Sequence, residues 1–288
     1  MIKIFIVTYN SELFINANLK SLFESDANSD DYSVEIINNH SNLCIHDEFI
    51  PKIKKIHHQS LRPDFSCGYL ARDWNSGLVT GFQNLKTPAC DQVILCQDDM
   101  LWDKDWKSRL DEIHKKYTFY THCYGDAFMS FLPDAVKKIG LFDERYSSCV
   151  CQENDYFLRA VKYNYEKSSI NDTSIKFFVN KEDPVVKMYA LDESGVRKKY
   201  DLVNGKKISR QETRSSVNDY SYLGKNLFKL KWNTNKLSLT QMSIQEIKDL
   251  EIKLRMQVKY PYFEDEVENL YEKGYDVDVS ILKSYITI

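Results

Sequence analysis

The stretch "VILCQDDML", Val93 to Leu101, is where the reading of this chain turns. Apolar residues run straight into two adjacent carboxylates, Asp98 and Asp99, and the chain then becomes apolar again. An unbroken apolar run of strand length is the pattern of a strand covered on both faces. Two like charges at its end repel each other, and each costs free energy to desolvate. A divalent cation resolves that conflict, and so does exposure to water.

Working outward, "IKIFIVT" (Ile2 to Thr8) is another continuous apolar run and predicts a central strand. Ser11 is placed to cap a helix with Leu13, Phe14, Ala17, Leu22 and Phe23 inward. "YSVEIIN" (Tyr32 to Asn38) predicts a second strand and "KIKKIHH" a short third. From Gly68 to Leu85, residues Leu70, Trp74, Leu78, Phe82 and Leu85 recur at helical spacing. Asp103 is placed to cap a helix carrying Trp106, Leu110, Ile113 and Tyr117. "DAFMSFL" predicts a strand. "PDAVKKIG" predicts a short helix opened by proline and closed by glycine. Strands alternating with helices predict an α/β fold with a mostly parallel sheet between helices.

Beyond residue 165 the pattern changes. "SIKFFV" reads as a strand, and "VVKMYALDESGVRKKYDLV" as a hairpin turning at Asp192 to Gly195. After Asn218 it becomes helical. Ser243 and Glu246 have capping-box spacing for a helix through Val258, Pro261 ends it, and a last helix is expected from Glu264 to Lys273. The expected organisation is one domain over residues 1–235, with halves at about 1–100 and 101–235, followed by a helical extension over 236–288.

The bulk numbers exclude some classes. The 288 residues suffice for a sizeable core, and 43% hydrophobic with 28% charged residues is ordinary for a globular protein. A net charge of −3 argues against a nucleic-acid binder. No stretch has the length to span a bilayer and no signal peptide is visible, so a cytoplasmic protein is expected. The seven cysteines lack CxxC pairs and read as reduced thiols. The 19 tyrosines and 15 phenylalanines suit either a core or the gripping of flat ligands.

Ligands of open α/β sheets bind beyond the carboxyl ends of the strands. Three strand ends here carry polar clusters: Thr8, Tyr9 and Asn10; Asn38, Asn39, His40 and Ser41; Gln97, Asp98 and Asp99. Neither a GxGxxG nor a GxxxxGK[ST] stretch is present, so a bound diphosphate would need a metal for its charge. Taken singly, each cluster reads as ordinary turn chemistry or a solvated edge.

Their order carries more. "IFIVTYN", "VEIINNHSN", "ILCQDDM", "GLFDERY" and "CQENDYFLRA" resemble, in sequence, the landmarks of the GT-A glycosyltransferases, in particular the family 2 inverting type. The resemblance covers roughly Ile2 to Tyr165, with "LFKLKW" (Leu227 to Trp232) similar to a family tail segment. It implies a GT-A fold, a nucleotide-sugar donor and a glycan, lipid-linked or other hydroxyl acceptor. Thr8, Tyr9, Asn10, Asn38 and Asn39 would face the nucleotide. A Mn²⁺ or Mg²⁺ ion would sit on Asp99, with Asp98 in support. Within "GYLARDWNSGL", Arg72 would contact phosphate and Asn75 would support the metal-side aspartates. Trp102 is placed to stack on an acceptor sugar. Either Glu153 or Asp155, at the start of a helix, would be the general base, depending on register. Two positions depart from the family pattern: Asn38 replaces an aspartate that reads the base, and Gln97 replaces the first acid of the D-x-D triplet. Those departures keep a non-catalytic binding module open as an alternative, and a nucleotidyltransferase is a further one.

Overall fold

The computed structural model describes residues 1–9, 12–39, 42–59, 69–121, 125–146, 150–167, 185–188, 200–203, 206–209 and 221–254. Its centre is a six-stranded sheet in the order β3-β2-β1-β4-β7-β6. The strands are β1 (Ile2–Thr8), β2 (Tyr32–Asn38), β3 (Ile53–His58), β4 (Gln92–Gln97), β6 (Phe119–Thr121) and β7 (Phe128–Phe131). The first four are mutually parallel; β7 runs antiparallel to β4, and β6 antiparallel to β7. This is the mostly parallel sheet expected from the sequence.

Every residue of β1 is buried, as its unbroken apolar run requires. The two-residue period of a strand then divides it between two cores. Ile2, Ile4 and Ile6 join Ile94 and Cys96 of β4 beneath helices α1 (Glu12–Phe23) and α3 (Trp106–His114). Phe5 and Val7 join Val93 and Leu95 on the other face, beneath α2 (Leu70–Phe82), α4 (Pro133–Ile139) and α5 (Gln152–Lys167). Two glycines let α2 lie close to the sheet. A Cβ on Gly77 would stand 2.6 Å from Leu95 Cδ2, and one on Gly81 2.4 Å from Val93 Cγ2. The chain leaves β1 towards β2 and β3 on one side and returns through α2 to β4 on the other. The sheet order therefore reverses beside β1, and the carboxyl ends of β1 and β4 flank a switch point.

Strand β5 (Met100–Trp102) pairs antiparallel with β8 (Val186–Met188), and β9 (Tyr200–Val203) pairs with β10 (Lys206–Ser209). The hairpin expected across residues 185–203 is thus corrected: its two described arms pair with other strands. The helix expected through Val258 is also corrected. Its capping box is present, with Ser243 Oγ accepting from Glu246 N at 3.2 Å and Glu246 Oε2 accepting from Ser243 N at 2.7 Å. That helix is α7 (Ile244–Asp249), preceded by α6 (Ser221–Trp232), and it stops where Leu250 turns extended. Leu250, Ile252 and Leu254 then enter the core at a period of two, which a charged helical pattern conceals. Residues 236–254 share the core of α5 and α6: Ile247 and Leu254 are buried there, and Lys162 Nζ donates to the Ile247 and Lys248 carbonyls at 3.2 and 3.1 Å.

Two local expectations change. The residue preceding α3 is Asp105, and Asp103 instead receives Arg109 at 2.9 Å. Trp102 is buried, edge-on to Trp106 at 4.8 Å between ring centres, and donates to Asn18 Oδ1 at 2.9 Å. It fills the core and offers no face to a sugar. The strand expected at "SIKFFV", the Ser11 cap and the helix over residues 264–273 lie outside the described residues.

Candidate functional site

The parallel register brings the predicted clusters to one edge. Thr8 stands level with Asn38, and Val7 level with Gln97. The ladders continue one residue further: Asn39 N donates to the Thr8 carbonyl at 2.9 Å, and Asp98 N to the Val7 carbonyl at 3.1 Å. Thr8 Oγ1 then donates to Asp98 Oδ2 at 2.8 Å. The Asn38 side-chain amide lies 3.2 Å from His58 Nδ1, and Tyr9 is half-buried. Asn10, His40 and Ser41 are outside the described residues.

Asp98 is 3% and Asp99 0% exposed, which removes the reading of this pair as a solvated edge. Both carboxylates are withdrawn from water at the end of a central strand. Arg72, in the first turn of α2, reaches the same rim. Its guanidinium donates to Asp73 Oδ1 at 2.8 and 3.0 Å and to Asn39 Oδ1 at 3.3 Å, and lies 4.6 Å from the centre of the Tyr69 ring. Asn75 departs from expectation. Its amide donates to the Phe142 carbonyl and to Glu144 Oε1, both at 2.9 Å, and its carbonyl accepts from Phe142 N at 2.7 Å. It braces the "GLFDE" loop rather than the aspartates.

Between the end of β4 and the start of α5 stands Asp126, which the sequence reading did not single out. Asp126 lies in a short 3₁₀ turn, Gly125–Ala127, before β7. Its carboxylate accepts from Gln97 Nε2 at 3.2 Å, Trp74 Nε1 at 3.1 Å and Gln152 Nε2 at 2.9 Å. All three donors are neutral. Burial raises its proton affinity, and the Asp99 charge adds to that. The overlooked signal was "YGDAF": an acid directly before an apolar strand, the counterpart of Asp98 directly after one.

Helix α5 starts beside Asp126. Cys151, immediately before it, has φ 68°, a conformation most side chains avoid and one that concentrates at functional sites. Glu153 follows in the first turn. The residue is half-buried, yet its Oε2 is shut off from solvent and has no hydrogen-bond partner, while Oε1 accepts from Asn154 Nδ2 at 2.9 Å. Burial pushes the Glu153 carboxyl up to about 8, with Asp126 adding to the rise; the backbone N–H groups of the helix start oppose it and lose.

Asp155, two positions beyond on the same turn, has the opposite surroundings. It is fully buried, and Lys231 Nζ reaches its two oxygens at 2.8 and 3.0 Å. Arg159 Nε donates to it at 3.1 Å and Trp232 Nε1 at 2.9 Å. Lys231 also holds Asp143 Oδ2 at 2.9 Å, and Arg145 grips that carboxylate as well, which keeps the Asp143 carboxyl well below the usual range. Arg159 continues to the carbonyls of Ile139 and Leu141 at 2.7 and 2.8 Å. This network ties α6, α5 and the "GLFDERY" loop together. Lys231 and Trp232 carry the tail segment's part in it. Their signal was phase: Leu227, Phe228, Lys231 and Trp232 fall on one helical face, which makes the lysine a core residue.

Among the described residues, no group of three or more His, Cys, Asp or Glu side chains is placed to enclose a metal ion. The buried Asp98–Asp99 pair nevertheless suits a hard divalent cation of the Mg²⁺ or Mn²⁺ kind. Such ions take one or two carboxylates and complete their shell with phosphate oxygens and water.

No family model matches the chain, and no curated protein matches it. Solved structures similar to it include S. aureus TarS (13% identity, TM-score 0.37, covering 55% of this chain and 33% of that one). Mannosyltransferase PcManGT from Pyrobaculum calidifontis, in complex with GDP-Man and Mn²⁺, matches at 12% identity and TM-score 0.43, covering 63% and 55%. The S. aureus TarS 1-349 fragment matches at 12% and 0.40, covering 64% and 59%. This chain therefore spans less than two thirds of each of them, and likeness of this degree assigns no activity.

Proposed function

We propose that this chain is a GT-A glycosyltransferase of the family 2-like, inverting kind, moving a sugar from a nucleotide-sugar donor to a hydroxyl acceptor. The observation that carries the proposal is Glu153: a carboxylate with one oxygen shut off from water and unpartnered, next to Gln152, which is joined through Asp126 to Gln97 at the strand end that carries the two buried aspartates. A carboxylate that only complemented its helix dipole would be solvated and acidic. Structural burial would supply a cation, as it does for Asp155. Glu153 has neither, and a raised proton affinity is what a general base working near neutral pH requires.

In this reading Thr8, Tyr9, Asn10, Asn38 and Asn39 form the nucleoside side, and Arg72 faces the diphosphate. Asp99 and Asp98 would hold Mn²⁺ or Mg²⁺, which when bound offsets the charge that develops on the departing diphosphate. Glu153 accepts the proton of the acceptor hydroxyl as that oxygen attacks the anomeric carbon. The bond from that carbon to the diphosphate breaks, and the electron pair leaves with the diphosphate. Asp155, already committed to Lys231, Arg159 and Trp232, holds the helix in place and is not the base. The acceptor is a glycan or a lipid-linked sugar. Glycan synthesis in the cytoplasm fits the free thiols of Cys44, Cys90, Cys96 and Cys151, and no described helix is long and apolar enough to cross a membrane.

The test is release of nucleoside diphosphate from a panel of nucleotide sugars with Mn²⁺, comparing the wild-type chain with Glu153→Gln. The glutamine variant should bind donor and lose turnover a hundredfold or so, as expected for a missing base. Donor binding without turnover in the wild type would favour the non-catalytic module, and full activity in Glu153→Gln would remove Glu153 from the mechanism.

A further inference from the structure

Two consecutive residues at the start of α5 each hide a hydrogen-bond acceptor. Glu153 Oε2 is one. The other is Gln152 Oε1, which is likewise shut off from solvent and has no hydrogen-bond partner among the described residues. Gln152 is 2% exposed, and a buried carbonyl without a donor costs free energy that a purely structural residue would recover by pairing it. The amide is not free to turn. Its Nε2 donates to Asp126 Oδ2 at 2.9 Å, and Trp74 Nε1 donates to that same oxygen at 3.1 Å. An indole N–H can only donate, so Asp126 Oδ2 is an acceptor and takes the NH₂ side of the Gln152 amide. Flipped, Gln152 would set one acceptor oxygen against another. Its planar amide therefore turns Oε1 away from Asp126. The other Asp126 oxygen accepts from Gln97 Nε2 at 3.2 Å, and Gln97 directly precedes Asp98 and Asp99. Gln152 is thus linked by hydrogen bonds to the strand end and by the chain to Glu153.

Resting on the proposed transferase reading, we propose that Gln152 is a specificity-determining residue of this site: its Oε1 accepts a hydrogen bond from a hydroxyl of the sugar being transferred. The chemistry sets that place. The sugar must reach from the diphosphate, at the strand end, to the hydroxyl that attacks its anomeric carbon and gives its proton to Glu153. A group tied to both ends lies along the sugar. The diphosphate cannot be the missing donor, because its oxygens only accept. The base belongs to the Thr8–Asn38 side of the edge. A sugar ring carries several hydroxyl donors, and an acceptor whose own N–H is committed elsewhere favours a donating substituent over hydrogen or fluorine at that position.

The experiment is isothermal titration into the full chain with Mn²⁺, comparing UDP with UDP-glucose, UDP-galactose and UDP-N-acetylglucosamine, and GDP with GDP-mannose. The wild type is set against Gln152→Met, which fills a similar volume without the amide. The ratio of nucleotide-sugar to bare-diphosphate affinity should fall in the variant by about three- to tenfold, the size of one net hydrogen bond. Affinity for the bare diphosphate should stay at the wild-type value, whereas a variant that had merely loosened the fold would weaken both ligands alike. Monodeoxy analogues of the sugar that binds then identify the hydroxyl: one of them should bind the wild type worse by a similar factor and bind Gln152→Met as well as the parent sugar does. An unchanged ratio, a deoxy series with the same losses in both chains, or a wild type that binds a bare diphosphate and none of these sugars overturns the proposal. A wild type that binds no nucleotide at all would instead count against the transferase reading, and the role of Gln152 would fall with it.

Discussion

Replacing Glu153 by glutamine should make the protein's stability respond differently to pH. In the folded chain this carboxyl is raised from an ordinary 4.5 to about 8, chiefly by burial. The folded state therefore binds the proton more tightly than the unfolded chain does. Stability linked to this group is fully present below the unfolded value and is lost as pH rises through the folded one. With 1.36 kcal/mol for each pH unit, the span from 4.5 to about 8 gives a ceiling of about 5 kcal/mol. Asp126 shares in the coupling, so the measured loss should fall below that ceiling and still amount to a few kcal/mol. Glutamine keeps the shape and has no proton to lose. Urea unfolding of both chains from about pH 5 to about pH 9 reads the difference. The variant should gain on the wild type steadily across that range and level off above the folded midpoint. A stability difference that does not change with pH would refute the reasoning, because it would mean that the Glu153 carboxyl has the same proton affinity in both states.

Lys231→Met should destabilise the fold by about 3–5 kcal/mol in urea unfolding, since it strips the fully buried Asp143 and Asp155 of their shared cation. Trp232→Phe, which deletes a single donor to Asp155 and keeps most of the packing, should cost no more than roughly 1.5–3 kcal/mol. Gly81→Ala should destabilise by about 1–3 kcal/mol although alanine is the better helix former, because the new methyl would stand 2.4 Å from Val93 Cγ2 and force α2 off the sheet. A neutral or stabilising result there would show that α2 has room to move.

Much of the sheet was legible because its central strands are buried on both faces and so read as unbroken apolar runs. The limits of β1 and β2 follow "IKIFIVT" and "YSVEIIN" to the residue. Pro133 and Gly140 bracket α4 as their backbone preferences require, with Gly140 at φ 82°. Gathering of the three polar strand ends on one edge followed from parallel topology alone. What the sequence hid depends on partners distant along the chain. Trp102 looked like a rim aromatic, but Asn18, 84 residues away, receives its indole in the core. Glu153 and Asp155 are near-equivalent in sequence, and what separates their roles includes Lys231, 76 residues beyond Asp155. Asp126 shows the same limit: its three donors come from positions 74, 97 and 152. The β8 and β9 pairings were misread because a hairpin pattern does not say which strand a given arm will find.

The proposed function requires that the edge built from Thr8, Asn38, Asp98 and Asp99 bind a nucleoside diphosphate through a divalent cation. Isothermal titration of UDP, GDP, CDP, ADP and dTDP into the chain, with Mn²⁺ and again with chelator, measures this directly. At least one nucleotide should bind with Mn²⁺ and lose that binding with chelator and in Asp99→Ala, while the variant keeps the wild-type fold. Equal binding with and without metal, or no binding of any of the five in the presence of Mn²⁺, would contradict a metal-bridged nucleotide site on this edge.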